Sequence, residues 1–317
     1  MSLSFWGAME LIRGVHNIRQ PHQKCVLTIG NFDGVHLGHQ AILQRVKLLA
    51  QKYQVPACIM IFEPQPREYF SAGDAPGRIS RLRDKIKLLQ GQGIDYVLCM
   101  PFNKKLQQLN AEEFCRTVLT NGLQVQHLVV GDDFHFGCDR QGNFDYLNQF
   151  GHQHGFAVEN TPSVLTAKGE RISSTLVRAC LQAGNVAEAE LALGHPLSMT
   201  GRVVHGQKLG RKLGFPTANI HLKIARPAMS GVFAVTLRKQ GVDYNGVANI
   251  GVRPTVKGKT PILEVHLFNF NGDLYDDYVE VRFCRFIRAE RKMSGLDELE
   301  KQIQHDKEEA ECFFANQ

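Results

Sequence analysis

The N-terminal half of the chain alternates short apolar runs with stretches of helical spacing. "CVLTIG" (25–30), "ACIMIF" (57–62), "YVLCMPF" (96–102) and "HLVVG" (127–131) predict four buried strands. Between them Ile42, Leu43, Val46, Leu49, Ala50 and Tyr53, and then Leu82, Ile86 and Leu89, recur at helical intervals. Asn110 with Glu113 three residues on has the pattern of a capping box opening a further helix. Continuous apolar strands alternating with helices imply a doubly wound α/β domain with a parallel sheet covered on both faces. Ligands of such sheets bind at the carboxyl ends of the strands.

The pattern changes near residue 195. "GRVVHG" (201–206), "GVFAVTLRK" (231–239), "GVANIG" (246–251), "ILEVHLFNF" (262–270) and "YVEVRFCRFI" (278–287) are strand-like, with little helix between them. An Asn-Gly step at 271–272 predicts a hairpin between the last two. A polar helix from Leu296 to Phe314 closes the chain. The expectation is a small antiparallel β-barrel with one terminal helix.

Composition narrows this picture only slightly. The 317 residues are enough for about two domains, and 43 % hydrophobic with 21 % charged residues is ordinary globular balance. A net charge of +6 suits a handler of phosphate-rich molecules, and equally nucleic acid. Eight scattered cysteines, no two at CxxC spacing, argue against a zinc site of the usual pattern and for reduced thiols. No apolar run is long enough to span a membrane, and no signal peptide is visible. "MSLSFWGA" (1–8) reads as an added leader before a native start at Met9.

Two segments carry candidate chemistry in the first half. In "IGNFDGVHLGHQ" (29–40), His36 and His39 share a helix face just behind a glycine-rich strand-to-helix turn. The turn offers unpaired N–H groups and partial positive charge, which attract phosphate. Metal binding would need further ligands, and paired zinc histidines on a helix are commonly four apart, with a glutamate between them. An ordinary helix cap containing histidine is the bland alternative. The second segment, "RISSTLVR" (171–178), sets hydroxyls and then Arg178 at another helix start, which is either a second phosphate cradle or a plain hydroxyl cap.

The second half contributes "HGQKLGRKLGFPTANI" (205–220). Residues 201–226 hold six Lys or Arg and no Asp or Glu, with glycines interleaved. A solvated basic loop or a nucleic-acid patch would have this charge. The glycines fit a phosphate-binding flap better, and the scarcity of aromatics argues against base stacking.

Together, "TIGNFDGVHLGH", "FEPQP" (62–66), "GDDFHFGCDRQG" (131–142) and "ISSTLVR" resemble the adenylyltransferase module of the bacterial bifunctional riboflavin kinase/FMN adenylyltransferase family, the prokaryotic FAD synthetases. "FPTAN", "GVANIGVRPTV" and "LEVHLFNFNGDLY" resemble its kinase module, so the likeness covers nearly the whole chain after Met9. Class I aminoacyl-tRNA synthetases also carry a two-histidine motif and a later lysine motif. "RKMSG" (291–295) is similar to the latter, but it lacks the second lysine and falls beyond the β-rich half.

The resemblance implies residues 9–192 as an FMN adenylyltransferase domain and 198–317 as a riboflavin kinase domain. FMN would attack the α-phosphorus of ATP, with His36 and His39 donating to the developing charge. Gly30, Asn31, Phe32, Asp33, Gly34 and Gly38 would line the ATP site, while Ser173, Ser174, Thr175 and Arg178 hold the outer phosphates. Phe62, Pro64, Asp133, Phe134, Phe136 and Arg140, together with Arg288, would meet flavin. In the kinase domain Gly206, Lys208, Gly210, Arg211, Gly214 and Pro216 would bind ATP. Thr217 and Asn219 would hold its Mg²⁺, and Glu264 would act as general base on the ribityl hydroxyl. The implied partners are riboflavin, FMN, FAD and ATP, without nucleic acid or membrane, in a cytoplasmic monomer or weak oligomer. A flavin- or nucleotide-binding regulator without turnover is the alternative on the same scaffold. Asn269, Asp276, Met293 and His135 depart from the commonest family pattern and remove no proposed catalytic group.

Overall fold

The structure, a computed structural model, describes residues 9–71, 73–206, 210, 213–224, 226–255 and 258–317. The proposed leader, Lys208 and Arg211 lie outside the described residues. The chain forms two compact units, Met1–Ala75 with Lys85–Ile172, and Pro76–Asp84 with Ser173–Gln317. The second unit therefore takes in residues 173–192 as well as the barrel.

In chain order the first unit holds β1 (Glu10–Arg13), β2 (Val26–Ile29), α1 (Leu37–Tyr53), β3 (Ala57–Glu63) and α2 (Pro66–Phe70). It continues with most of α3 (Leu82–Gly91), β4 (Tyr96–Pro101), α4 (Lys104–Gln107), α5 (Ala111–Phe114), β5 (His127–Gly131), α6 (Phe144–His154) and β6 (Ala157–Thr161). The sheet runs β1-β4-β3-β2-β5-β6 and every pairing is parallel. The four predicted strands are its centre. The outer two were not predicted, because "ELIR" and "AVENT" have one buried residue between them and so lack an apolar run. Leu27, Cys58, Met60, Leu98, Leu128 and Val130 pack one core of the sheet. The capping box forms as expected: Glu113 N–H donates to Asn110 Oδ1 at 2.9 Å, and Asn110 N–H donates to Glu113 Oε2 at 3.0 Å.

The second unit continues with α7 (Ser174–Gln182), α8 (Val186–Leu193), β7 (Ser198–Val204), β8 (Ala218–His221) and β9 (Gly231–Lys239). Then follow β10 (Val242–Thr255), β11 (Gly258–Leu267), β12 (Tyr278–Arg288) and α9 (Leu296–Ala315). The six strands close a barrel in the order β10-β11-β8-β7-β12-β9, antiparallel throughout. Closure leaves no free sheet edge. Ala310 of α9 packs on Val232, Ala234 and Val247, with Phe313 and Phe314 beside it.

One expectation is corrected here. β11 and β12 are not neighbours, so Asn271-Gly272 does not turn a hairpin. A tight hairpin joins β9 to β10 at Gln240-Gly241, where φ is 49° and 85°. Two successive positive φ values match the twist of the flanking strands. Asn-Gly signals a turn, and a connection between strands on different sides of the barrel also needs turns. β8 was not predicted as a strand, since "ANIH" is only four residues long and follows proline.

The segment 76–84 is tied into the second unit through its backbone. Arg78 N–H donates to Arg226 O and Ala228 N–H to Arg78 O, both at 2.9 Å. Asp84 Oδ1 accepts from both the N–H and the hydroxyl of Thr200, at 3.1 and 2.6 Å, while Arg81 Nε donates to Asp84 Oδ2 at 2.8 Å. All eight cysteines are free thiols. Among the described residues no helix is long and apolar enough to cross a membrane.

Candidate active sites

In the first unit the chain leaves β2, turns through residues 30–36 and enters α1. The sheet order reverses here: β3 and β4 lie on one side of β2, β5 and β6 on the other. Such a switch point opens a crevice at the carboxyl ends of the strands. His36 caps α1, its Nδ1 accepting the backbone N–H of His39 at 3.3 Å. The two imidazoles stack with centroids 3.6 Å apart, and the Phe32 ring lies 4.7 Å from that of His39. His36, Phe32 and Asp33 are buried. Gly38 faces the carbonyl of Ile172, the residue before Ser173. Lys85, which no sequence pattern pointed to, is fully buried and donates Nζ–H to Asn31 O at 2.6 Å.

The residues matched to flavin divide between the edge and the interior of this unit. Phe62 and Pro64 lie where β3 ends, and Phe62 meets Phe102 edge-on at 5.9 Å. Tyr69 and Phe70 join Phe102 at 5.3 and 5.6 Å, both exposed, in an aromatic cluster that the strand pattern did not reveal. Phe136 lies in the core beside Phe114, with Phe134 stacked on it at 5.6 Å. Asp133 and Asp132 pair with Arg171 at 3.1 and 2.7 Å. Arg140 sits in the turn after Gly137, at φ 57°.

In the second unit Ser173 caps α7, accepting Leu176 N–H at 3.2 Å. Ser174, Thr175 and Arg178 follow in its first turns, and Arg178 Nε donates to Gly77 O at 2.7 Å.

The barrel wall carries a cavity of about 360 Å³. Thr217, Asn219, Glu264 and His266 line it, as do Asn249, Arg288, Glu290 and Asp306. Glu264 on β11 stands directly opposite Asn219 on β8 and Asn249 on β10. Directly opposed residues share a face, so the three side chains form one row across three strands. Asn219 Nδ2 donates to Thr217 O at 3.2 Å, leaving a buried Oδ1 with no hydrogen-bond partner among the described residues. Gly206 packs against this amide so closely that any Cβ there would overlap it.

His266 Nδ1 lies 2.9 Å from Pro216 O; a carbonyl only accepts, so Nδ1 carries the proton. Burial pushes this imidazole below its ordinary value, against the opposing Pro216 bond. Arg288, matched to flavin, is held in a two-pronged pair by Asp306, both contacts at 2.7 Å. Gly210 and Gly214 lie in the turn before Phe215, whose N–H donates to Gly210 O at 2.8 Å. Sequence reasoning missed Asn249, Glu290 and His266. The one available signal was period-two alternation placing His266 on the face of Glu264.

A helix start at a parallel-sheet switch point and a barrel cavity holding a row of one carboxylate and two amides are consistent with a nucleotidyl transferase and a kinase in one chain. The FAD synthetase family model matches residues 18–176 and the riboflavin kinase family model residues 193–314. A bifunctional riboflavin kinase/FMN adenylyltransferase from Pseudomonas fluorescens is 50 % identical over 299 residues, 94 % of this chain and 96 % of the relative. Those of Haemophilus influenzae and Escherichia coli K12 are each 47 % identical, over 96 % of this chain and 99 % and 98 % of theirs. The chain belongs to the bifunctional riboflavin kinase/FMN adenylyltransferase family, and it phosphorylates riboflavin to FMN and adenylylates FMN to FAD. A solved Streptococcus pneumoniae chain, described as a macrolide-efflux protein, is 30 % identical with a TM-score of 0.77, covering 95 % of this chain and 97 % of its own. That likeness extends the shared fold over both units.

Proposed function

We propose that the two reactions are divided between the switch point of the sheet and the row on the barrel wall. The observation that carries the kinase assignment is the row Asn219–Glu264–Asn249, which brings a carboxylate and a metal-type oxygen together. Glu264 takes the proton from the terminal ribityl hydroxyl as the γ-phosphoryl of ATP is transferred. The family is ATP-dependent and in general uses a divalent metal; magnesium suits Asn219 Oδ1, a buried oxygen without a partner among the described residues, and the Thr217 hydroxyl. When bound, the ion neutralises charge on the phosphates. Gly206, Gly210, Gly214 and Pro216 flank the nucleotide.

For adenylyl transfer, His36 and His39 donate to the α-phosphate as pyrophosphate leaves. The backbone of 30–34 cradles the nucleotide, and Ser173, Ser174, Thr175 and Arg178 bind the outer phosphates. Flavin is met by Phe62, Pro64 and the exposed aromatics beside them. The enzyme works in the cytoplasm as a monomer or weak oligomer, with no nucleic-acid partner. Incubation with riboflavin, ATP and Mg²⁺ tests this division. Chromatography should find FMN and FAD from the intact chain, FMN alone when the histidines are replaced, and neither when Glu264 is.

A further inference from the structure

Asn249 flanks Glu264 on the side away from Asn219. Its Nδ2 donates to Glu290 Oε1 at 3.2 Å, and its Oδ1 is buried with no hydrogen-bond partner among the described residues. A carboxylate only accepts, so the amide must turn its NH₂ to Glu290 and its carbonyl away. Gly251 makes the room, because a Cβ there would collide with Glu290 Oε1. The pair thus fixes the polarity of one cavity-lining amide, and a buried acceptor of this kind calls for a donor.

Asn249 stands on the other side of Glu264 from Asn219, two strands away from the residue read as a metal ligand. The substrate is a polyol chain, in which the hydroxyl that reacts has further hydroxyls beside it.

We propose that Asn249 Oδ1 accepts a hydrogen bond from a ribityl hydroxyl next to the reacting one, and that Glu290 is a positioning residue holding the amide in its accepting orientation. The inference rests on the reading of Glu264 as the base. Two acceptors then grip neighbouring hydroxyls of one chain and hold the substrate in the cavity.

Kinase kinetics of the full-length chain test it. Asn249→Ala should raise the riboflavin KM about tenfold, with kcat and the ATP KM within about twofold. Gly251→Ala, which keeps Asn249 and expels the Glu290 carboxylate, should raise the same KM. Asn249→Asp sets two carboxylates face to face and should bind riboflavin at least as poorly as the alanine variant. Adding Glu290→Gln to it restores a donor facing an acceptor, and the KM should return to within about threefold of the original. A swap no better than Asn249→Asp alone overturns the inference. So does an Asn249→Ala chain whose Mg²⁺ requirement moves in place of its riboflavin KM. If Glu264→Gln still turns over, the reading of the base fails and this inference with it. An inactive Glu264→Gln beside a silent Asn249→Ala defeats the inference alone.

Discussion

His36 Nδ1 accepts the backbone N–H of His39 at 3.3 Å while the two rings stack 3.6 Å apart. An accepting Nδ1 places the proton of neutral His36 on Nε2. The cap therefore selects the tautomer that the proposed donation to phosphate uses. His36→Ala loses both, and FAD formation from added FMN should fall by about 10² to 10³. His39→Ala should fall by a similar factor. FMN formation should persist in both. Equal loss of the two activities in a folded chain would sink the assignment of the sheet unit to adenylyl transfer.

Glu264→Gln keeps the size and strand position of the side chain and removes the base. FMN formation from riboflavin should drop at least about a hundredfold. FMN supplied directly should still become FAD at the original rate. Unchanged kinase turnover would take Glu264 out of the mechanism.

Asn219→Ala removes the buried amide oxygen while leaving Thr217. The Mg²⁺ concentration for half-maximal kinase rate should rise about tenfold or more. Titration of the rate with Mg²⁺ at fixed ATP reads this directly, and an unshifted curve would assign the metal elsewhere.

Acid should loosen the barrel through His266. Its pKa is lowered in the folded chain, first by burial and further by Lys307, while Pro216 and Glu311 oppose the shift. The unfolded chain, titrating near 6.5, then binds the proton first. Stability is thus fully present above about 6.5 and declines as pH falls from there to the lowered folded value. His266→Gln should flatten the part of the Tm profile between pH 7 and 5 that this group contributes. A mutant profile parallel to the original would show that His266 does not supply it.

Lys85→Met should act on FAD synthesis alone. Asn31 O loses a donor inside the protein, at a cost of about 1–3 kcal/mol. Thermal unfolding should move down by a few degrees, and the ATP KM for FAD formation should rise. A kinase defect of the same size would mean that the lysine serves general stability instead.

The centre of each unit was legible in the sequence because buried strands and helix faces write their burial into apolar spacing. Edge strands β1 and β6 bury too little to do so. Asn271-Gly272 carried correct turn chemistry but no information about which strands pair in a closed barrel. His36, Glu264 and Asn219 stood out through motif resemblance. Asn249 did not, since its partners Glu264 and Glu290 are 15 and 41 residues away and only the strand register brings them to it.

The pairing of Arg78 with Arg226 and Ala228 has a practical consequence for anyone wishing to separate the two activities. The second unit is not a contiguous length of chain. A single scission near 195 yields a fragment that holds the kinase motifs but leaves behind residues 173–192 and the strip from 76 to 84, with its Asp84–Thr200 contacts. Such a fragment should melt below the kinase transition of the intact chain, and the missing strip supplied as a separate peptide should bind it. The boundary between the two enzymes is a seam that the polypeptide crosses more than once.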